Sequence, residues 1–80
     1  GKAPAEAARR KLSYKEQREL EAIPGQIEAL EAEQADLQAK LGQADFYTRS
    51  PQDATAAAGR LAVIEEELLG LLERWEALGG

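Results

Sequence analysis

The 80-residue sequence contains no cysteine, no histidine and no methionine. Without cysteine, disulfides and thiolate metal sites are excluded, and without histidine the commonest general base and zinc ligand is missing. Aromatic residues are scarce, with one tryptophan, one phenylalanine and two tyrosines. No apolar run approaches the ~20 residues that span a bilayer.

Apolar residues recur at alternating intervals of three and four residues in two stretches, the pattern of a coiled-coil seam. The seam positions are Leu20, Ile23, Ile27, Leu30, Gln34, Leu37 and Leu41, then Ala57, Leu61, Ile64, Leu68, Leu71, Trp75 and Leu78. If the chain folds back on itself, Leu30 faces Leu68 and every other seam pair falls into the same register. We therefore predict an all-α fold, a two-helix antiparallel intramolecular coiled-coil hairpin with a flexible N-terminal arm. A monomer is expected, although the same seam could pair between chains.

The predicted organisation has two parts. Residues 1–12 show no apolar period and form a flexible basic arm or linker. Residues 13–79 form the hairpin, with a first helix at about 14–42, a turn at 43–49 and a second helix at about 51–78.

Local signals place the helix boundaries. Ser13 and Glu16 have the spacing of a capping box, so the first helix begins after Ser13. Pro24 lacks a backbone N–H and predicts a kink near that position, although the apolar period continues through it. Ser50 as N-cap and Pro51 at the first helical position predict the start of the second helix.

The charge is distributed unevenly. Residues 1–19 carry six basic and three acidic side chains, a net charge of +3, whereas residues 20–80 carry four basic and twelve acidic ones. A basic segment before an acidic stalk predicts an anionic partner for that segment. The candidate phosphate-binding residues are Arg9, Arg10, Lys11, Lys15 and Arg18, with Tyr14 as a possible stacking residue. The alternative is a solvated linker that happens to be basic.

Acidic side chains flank the predicted seam on both sides. Glu31 and Glu65 are expected as like-charge neighbours on one side, and Glu33 and Glu67 on the other. This arrangement is either an acidic belt for a cationic partner or ion, or a solvated face.

Four further residues have two interpretations each. Gln34 at a seam position is either a register or partner selector or a side chain that reaches water. Trp75 is interpreted as core rather than as a base-stacking platform. Phe46 is expected to close the turn, and Tyr47 is left as either a closing residue or a possible stacking residue.

Nothing in the sequence indicates catalysis. The nucleophile candidates, Ser13 and Ser50, are better explained as helix caps, and the sequence has no glycine-rich phosphate loop. We expect a non-catalytic fragment with no metal site and no cofactor of its own.

The run from Lys11 to Glu21, KLSYKEQRELE, followed by Ile23-Pro24 and Ile27-Glu28, resembles the C-terminal domain of ABC-F family ATPases of the Uup type. The Phe46-Tyr47 pair and the closing Arg74-Trp75-Glu76 are similar to the same domain.

The resemblance implies a larger cytoplasmic parent protein with two ATP-binding cassettes, no membrane domain, and ATP and magnesium bound outside this fragment. It also implies a DNA-binding module, with Lys11, Lys15 and Arg18 in matching positions, or alternatively contact with ribosomal RNA or tRNA. Two other functions stay open from the residues alone. One is a protein-interaction or spacer coiled coil, and the other is a tRNA-contacting arm such as some synthetases carry.

Overall fold

The structure is a computed structural model, and it describes residues 11–80. The chain forms α1 (Tyr14–Leu41), α2 (Ala44–Arg49) and α3 (Pro51–Ala77). The predicted all-α class is confirmed, but there are three helices in this part of the chain rather than two. The predicted arm at residues 1–12 lies almost wholly outside the described residues.

The start of α1 follows the capping box. The backbone N–H of Glu16 donates to Ser13 Oγ at 3.1 Å, and the backbone N–H of Ser13 donates to Glu16 Oε1 at 3.0 Å. The helix then runs without a break through Pro24 and ends at Leu41. A proline inside a helix removes one backbone hydrogen bond, and that loss does not end α1.

The segment predicted as a turn is partly helical, which corrects the sequence-based boundary. Residues 44–49 form α2, a helix of six residues. An ion pair one turn apart, between Arg49 Nη1 and Asp45 Oδ2 at 2.7 Å, stabilises it locally. The backbone N–H of Ser50 donates to the carbonyl of Phe46 at 2.9 Å and closes its last turn.

Both ends of α3 have identifiable causes. Ser50 occupies the N-cap position and Pro51 the first turn, as predicted, but the Ser50 hydroxyl makes no capping hydrogen bond. At the far end Gly79 has φ 92°, a left-handed conformation. The N–H groups of Gly79 and Gly80 donate to the carbonyls of Glu76 and Trp75. These two backbone hydrogen bonds form a Schellman motif, whose left-handed residue is glycine because glycine has no side chain to strain it.

The core is a single line of contacts between α1 and α3, with α2 packed on both. Ile23 and Ile64 are almost completely buried, and Ala54, Ala57 and Leu78 are buried as well. The other seam residues are half-buried, Gln34 and Trp75 included. The molecule is elongated, with extents of 55 × 25 × 15 Å. Such a shape offers long flanks and two ends as surfaces for function.

Candidate nucleic-acid interface

The start of α1 carries the predicted phosphate-binding side chains. Lys11 lies just before the helix, and Tyr14, Lys15 and Arg18 lie in its first two turns. Spacings of three and four residues place Arg18 next to both Tyr14 and Lys15 on the helix surface, and Lys11 lies three residues before the helix begins. All four are exposed, and Tyr14 is 73% exposed. We call them the cationic end; the predicted residues Arg9 and Arg10 lie outside the described residues.

Tyr14 and Arg18 form one unit within the cationic end. Arg18 Nη1 donates to Tyr14 Oη at 2.8 Å, and the guanidinium carbon lies 5.7 Å from the centre of the tyrosine ring. The hydrogen bond orients two flexible side chains that both remain open to solvent. The pair therefore offers a planar cation and an aromatic ring side by side, which suits one phosphate contact and one stacking contact.

Arg74 on α3 contributes to this site, and the sequence analysis did not identify it. Its Nε and Nη2 atoms donate to Glu19 Oε2 and Oε1 at 2.6 and 3.0 Å. These hydrogen bonds hold the pKa of Glu19 below its ordinary value, and the charges of Arg74 and Lys15 act in the same direction. Glu19 lies four residues from Lys15, where it would otherwise be a natural ion-pair partner. Arg74 holds this carboxylate with two hydrogen bonds, and Lys15 makes no ion pair within residues 11–80.

A second arginine removes the like-charge conflict expected between Glu33 and Glu67. Arg60 Nε lies 2.7 Å from Glu33 Oε2, and its Nη1 lies 3.5 Å from Glu67 Oε1. The hydrogen bond to Arg60 lowers the pKa of Glu33. The expectation of uncompensated repulsion on this side is therefore wrong.

The sequence did contain a signal for both arginines. Arg60 and Arg74 each directly precede a seam residue, as do their partners Glu33 and Glu19. In the predicted antiparallel arrangement these four positions lie on the same side of the seam, where long side chains of the two helices can reach each other.

Tyr47 is not part of the cationic end. It lies on α2, beyond the far end of α1, and a helix of 28 residues is ~42 Å long. Its ring is 51% exposed and meets Phe46 edge to face, with 6.5 Å between the ring centres. Phe46 is half-buried, and Arg49 beside it is held by Asp45. The two predicted stacking residues are thus at opposite ends of the molecule.

The arrangement is suited to binding through a surface. The residues of the cationic end are all exposed to solvent. Within residues 11–80 there is no group of three or more carboxylates placed to hold a metal ion. None of the helices in that part of the chain has the length and apolar character needed to cross a membrane.

The fold and these contacts define an elongated helical accessory domain. Residues 11–79 match the family model described as "ABC transporter C-terminal domain", and the chain belongs to this family. The predicted resemblance to the C-terminal domain of Uup-type proteins is therefore confirmed, and such a domain is distinct from the ATPase cassette.

Individual relatives agree with this assignment. The chain is 40% identical over 79 residues to the ATP-binding protein Uup of Escherichia coli, covering 95% of this chain and 12% of that protein. It is 43% identical over 68 residues to a Uup-like ATP-binding protein of Haemophilus influenzae, covering 85% of this chain and 15% of that protein. The chain therefore spans only a small part of these relatives. No solved structure matches it.

Proposed function

We propose that this domain binds the phosphate backbone of DNA through the cationic end. The single observation that carries the proposal is the bidentate pairing of Arg74 with Glu19, which leaves Lys15 free beside Tyr14 and Arg18. Exposed, unpaired cations next to an exposed aromatic ring are the features that phosphate contact and base stacking use. Contacts to phosphates carry little sequence information, so we expect binding with little base readout.

The domain would act as a non-catalytic module of a larger protein. The relatives bearing the Uup name are ATP-binding proteins. We propose that the parent is a cytoplasmic ABC-F ATPase whose cassettes hold ATP and magnesium. In that protein the domain would attach the ATPase to its nucleic acid, while the chemistry takes place elsewhere.

We further propose that α1 and α3 form an antiparallel coiled-coil hairpin. The ion pairs support this, because Glu19 and Glu33 follow each other along α1 while their partners Arg74 and Arg60 occur in the reverse order along α3. All four residues precede a seam residue by one position, which places both pairs on the same flank of an antiparallel coiled coil. The hairpin would be a rigid spacer of ~40 Å, from 27 helical residues at ~1.5 Å each.

The proposal is tested by titrating a labelled DNA duplex with the whole 80-residue chain and measuring fluorescence anisotropy at several salt concentrations. Three phosphate contacts, from Lys11, Lys15 and Arg18, predict a loss of affinity of roughly 40-fold between 50 and 200 mM salt. The double variant Lys15→Ala/Arg18→Ala would lower the slope of log K against log salt by about 2. Deleting residues 1–10 tests the predicted contribution of Arg9 and Arg10 in the same assay.

A matched control separates the site from net charge. Lys40→Ala/Arg49→Ala removes two exposed cations at the other end of the molecule. In the wild-type chain each of them forms an ion pair with an aspartate one helical turn away. We expect this variant to retain most of the affinity. If both double variants weaken binding equally, the cationic end is not the site. If RNA hairpins or single strands bind more tightly than the duplex, the ligand is RNA, as in the alternative of ribosomal RNA or tRNA.

A further inference from the structure

The two flanks of the α1–α3 seam differ in chemistry. On one side of the seam lie the residues that directly precede a seam residue. Both ion pairs between α1 and α3 are made by residues on this side, so we call it the paired flank. Residues that directly follow a seam residue lie on the other side, because one residue step turns a helix by ~100°. We call this side the open flank, and its acidic and leucine residues are Glu21, Glu28, Glu31, Glu65, Leu69, Leu72 and Glu76.

The open flank contains no lysine or arginine at any position that follows a seam residue. Its five carboxylates are exposed and make no ion pair or hydrogen bond within residues 11–80. Glu31 and Glu65 therefore retain the uncompensated charge that Arg60 removes from the paired flank. A surface with this charge repels nucleic acid, so it serves a different ligand from the cationic end.

Two leucines lie among these carboxylates. Leu69 is 59% exposed and Leu72 is 49% exposed, and their spacing of three residues makes them neighbours on the surface of α3. Single exposed leucines are ordinary, whereas these two form one apolar surface with carboxylates of a single charge sign around it.

We propose that the open flank docks a basic amphipathic helix of a partner protein. Apolar side chains of that helix would cover Leu69 and Leu72, while its lysines and arginines would meet the five carboxylates. The acidic residues extend over ~15 Å along α1 and α3, which corresponds to about three turns of a third helix lying along the open flank. This function is independent of DNA binding, because it uses other residues and the opposite charge.

The test uses a synthetic helical peptide of about 18 residues, with leucines at three- and four-residue spacing and lysines on both sides of them. Binding to the whole 80-residue chain is measured by fluorescence anisotropy. Leu69→Ser/Leu72→Ser is expected to weaken binding at least about tenfold. The matched control is Val63→Ser, which changes a residue 47% exposed that precedes Ile64 on the paired flank. It is expected to change affinity less than about twofold.

A second pair of variants isolates the contribution of charge. Glu31→Gln/Glu65→Gln and Glu66→Gln/Glu73→Gln remove the same net charge, the first pair from the open flank and the second from the outer face of α3. We expect at least a threefold larger loss for the first pair. Equal losses would show diffuse attraction to an acidic protein and would overturn the proposal. So would equally tight binding of a peptide whose leucines are replaced by serines, or failure of the designed peptide to bind.

The remaining outcomes distinguish other occupants. If sedimentation shows a dimer that Leu69→Ser/Leu72→Ser dissociates, the open flank is an interface between copies and the proposal is wrong. Lys15→Ala/Arg18→Ala is expected to leave peptide binding unchanged, and the leucine variant is expected to leave duplex binding unchanged. Either proposal can therefore fail without the other.

Discussion

Replacing Ile64 with alanine is the sharpest test of the packing. Ile64 is 0% exposed on α3, at the middle of the seam, so its removal leaves a cavity between the two long helices. Burial of this kind predicts a loss of about 2–5 kcal/mol, from lost transfer free energy and the unfilled space. A chain of this size has about 4–12 kcal/mol of stability in total, and a single seam places it toward the lower end. The Ile64→Ala variant should therefore lose a large fraction of its stability.

The measurement is urea unfolding of the whole 80-residue chain, followed by circular dichroism at 222 nm. The matched control is Leu69→Ala, which deletes a side chain of equal size from the same helix at a position 59% exposed. The control should lie within about 0.5 kcal/mol of wild type, since alanine is the better helix former and little burial is lost. If both variants lose the same stability, Ile64 does not face α1, and the proposed seam register is wrong.

Two further predictions concern the helix end and the ion pairs. Gly79→Ala should destabilise the chain by about 1 kcal/mol because Gly79 has φ 92°. Gly59 lies inside α3 with open space around it, so Gly59→Ala should stabilise the chain by about 0.5–1 kcal/mol. Urea unfolding measures both changes. The hydrogen bond from Arg60 lowers the pKa of Glu33 in the folded chain. The stability that Glu33 contributes is therefore present above its ordinary pKa of 4.5, and it is lost as the pH falls through the lower pKa of the folded state. Glu33→Gln should therefore lower the melting temperature at pH 7 but not at pH 2.5, and an equal decrease at both pH values would contradict this explanation.

The long helices could be predicted because their signals are periodic and local. Every predicted seam residue is buried or half-buried. The Ser13–Glu16 capping box forms with both hydrogen bonds, since it needs only residues three positions apart. The apolar period also indicated correctly that α1 continues through Pro24.

The six-residue helix α2 could not be predicted in this way. A helix of this length is unstable alone, because it has too few hydrogen bonds to offset nucleation. It exists here where Phe46 is half-buried and α2 packs against both long helices. Its one local signal, the Asp45–Arg49 spacing, is too weak to distinguish a helix from a turn. Ser50 occupies the predicted N-cap position of α3 without a capping hydrogen bond, and the same residue also ends α2.

The site was predicted in part. The sequence analysis proposed Lys15, Arg18 and Tyr14, and the structure places all three together and exposed. Arg60 and Arg74 were missed although the predicted seam places both on the same side as Glu33 and Glu19. Nothing in one helix alone shows that a basic side chain will reach across to a carboxylate of the other helix.

The elongated shape described above, 55 Å along its longest axis, has a consequence for how the domain would approach a duplex. That length matches about 16 base pairs at ~3.4 Å each. A domain laid flat would bring the net negative residues 20–80 against the phosphates, so only a perpendicular, tip-first approach avoids repulsion. If the domain binds DNA through the cationic end as proposed, Tyr47 would lie roughly 40 Å or more from the duplex. The domain would then act as a rigid spacer that holds a partner bound near Tyr47 at a fixed distance from the nucleic acid.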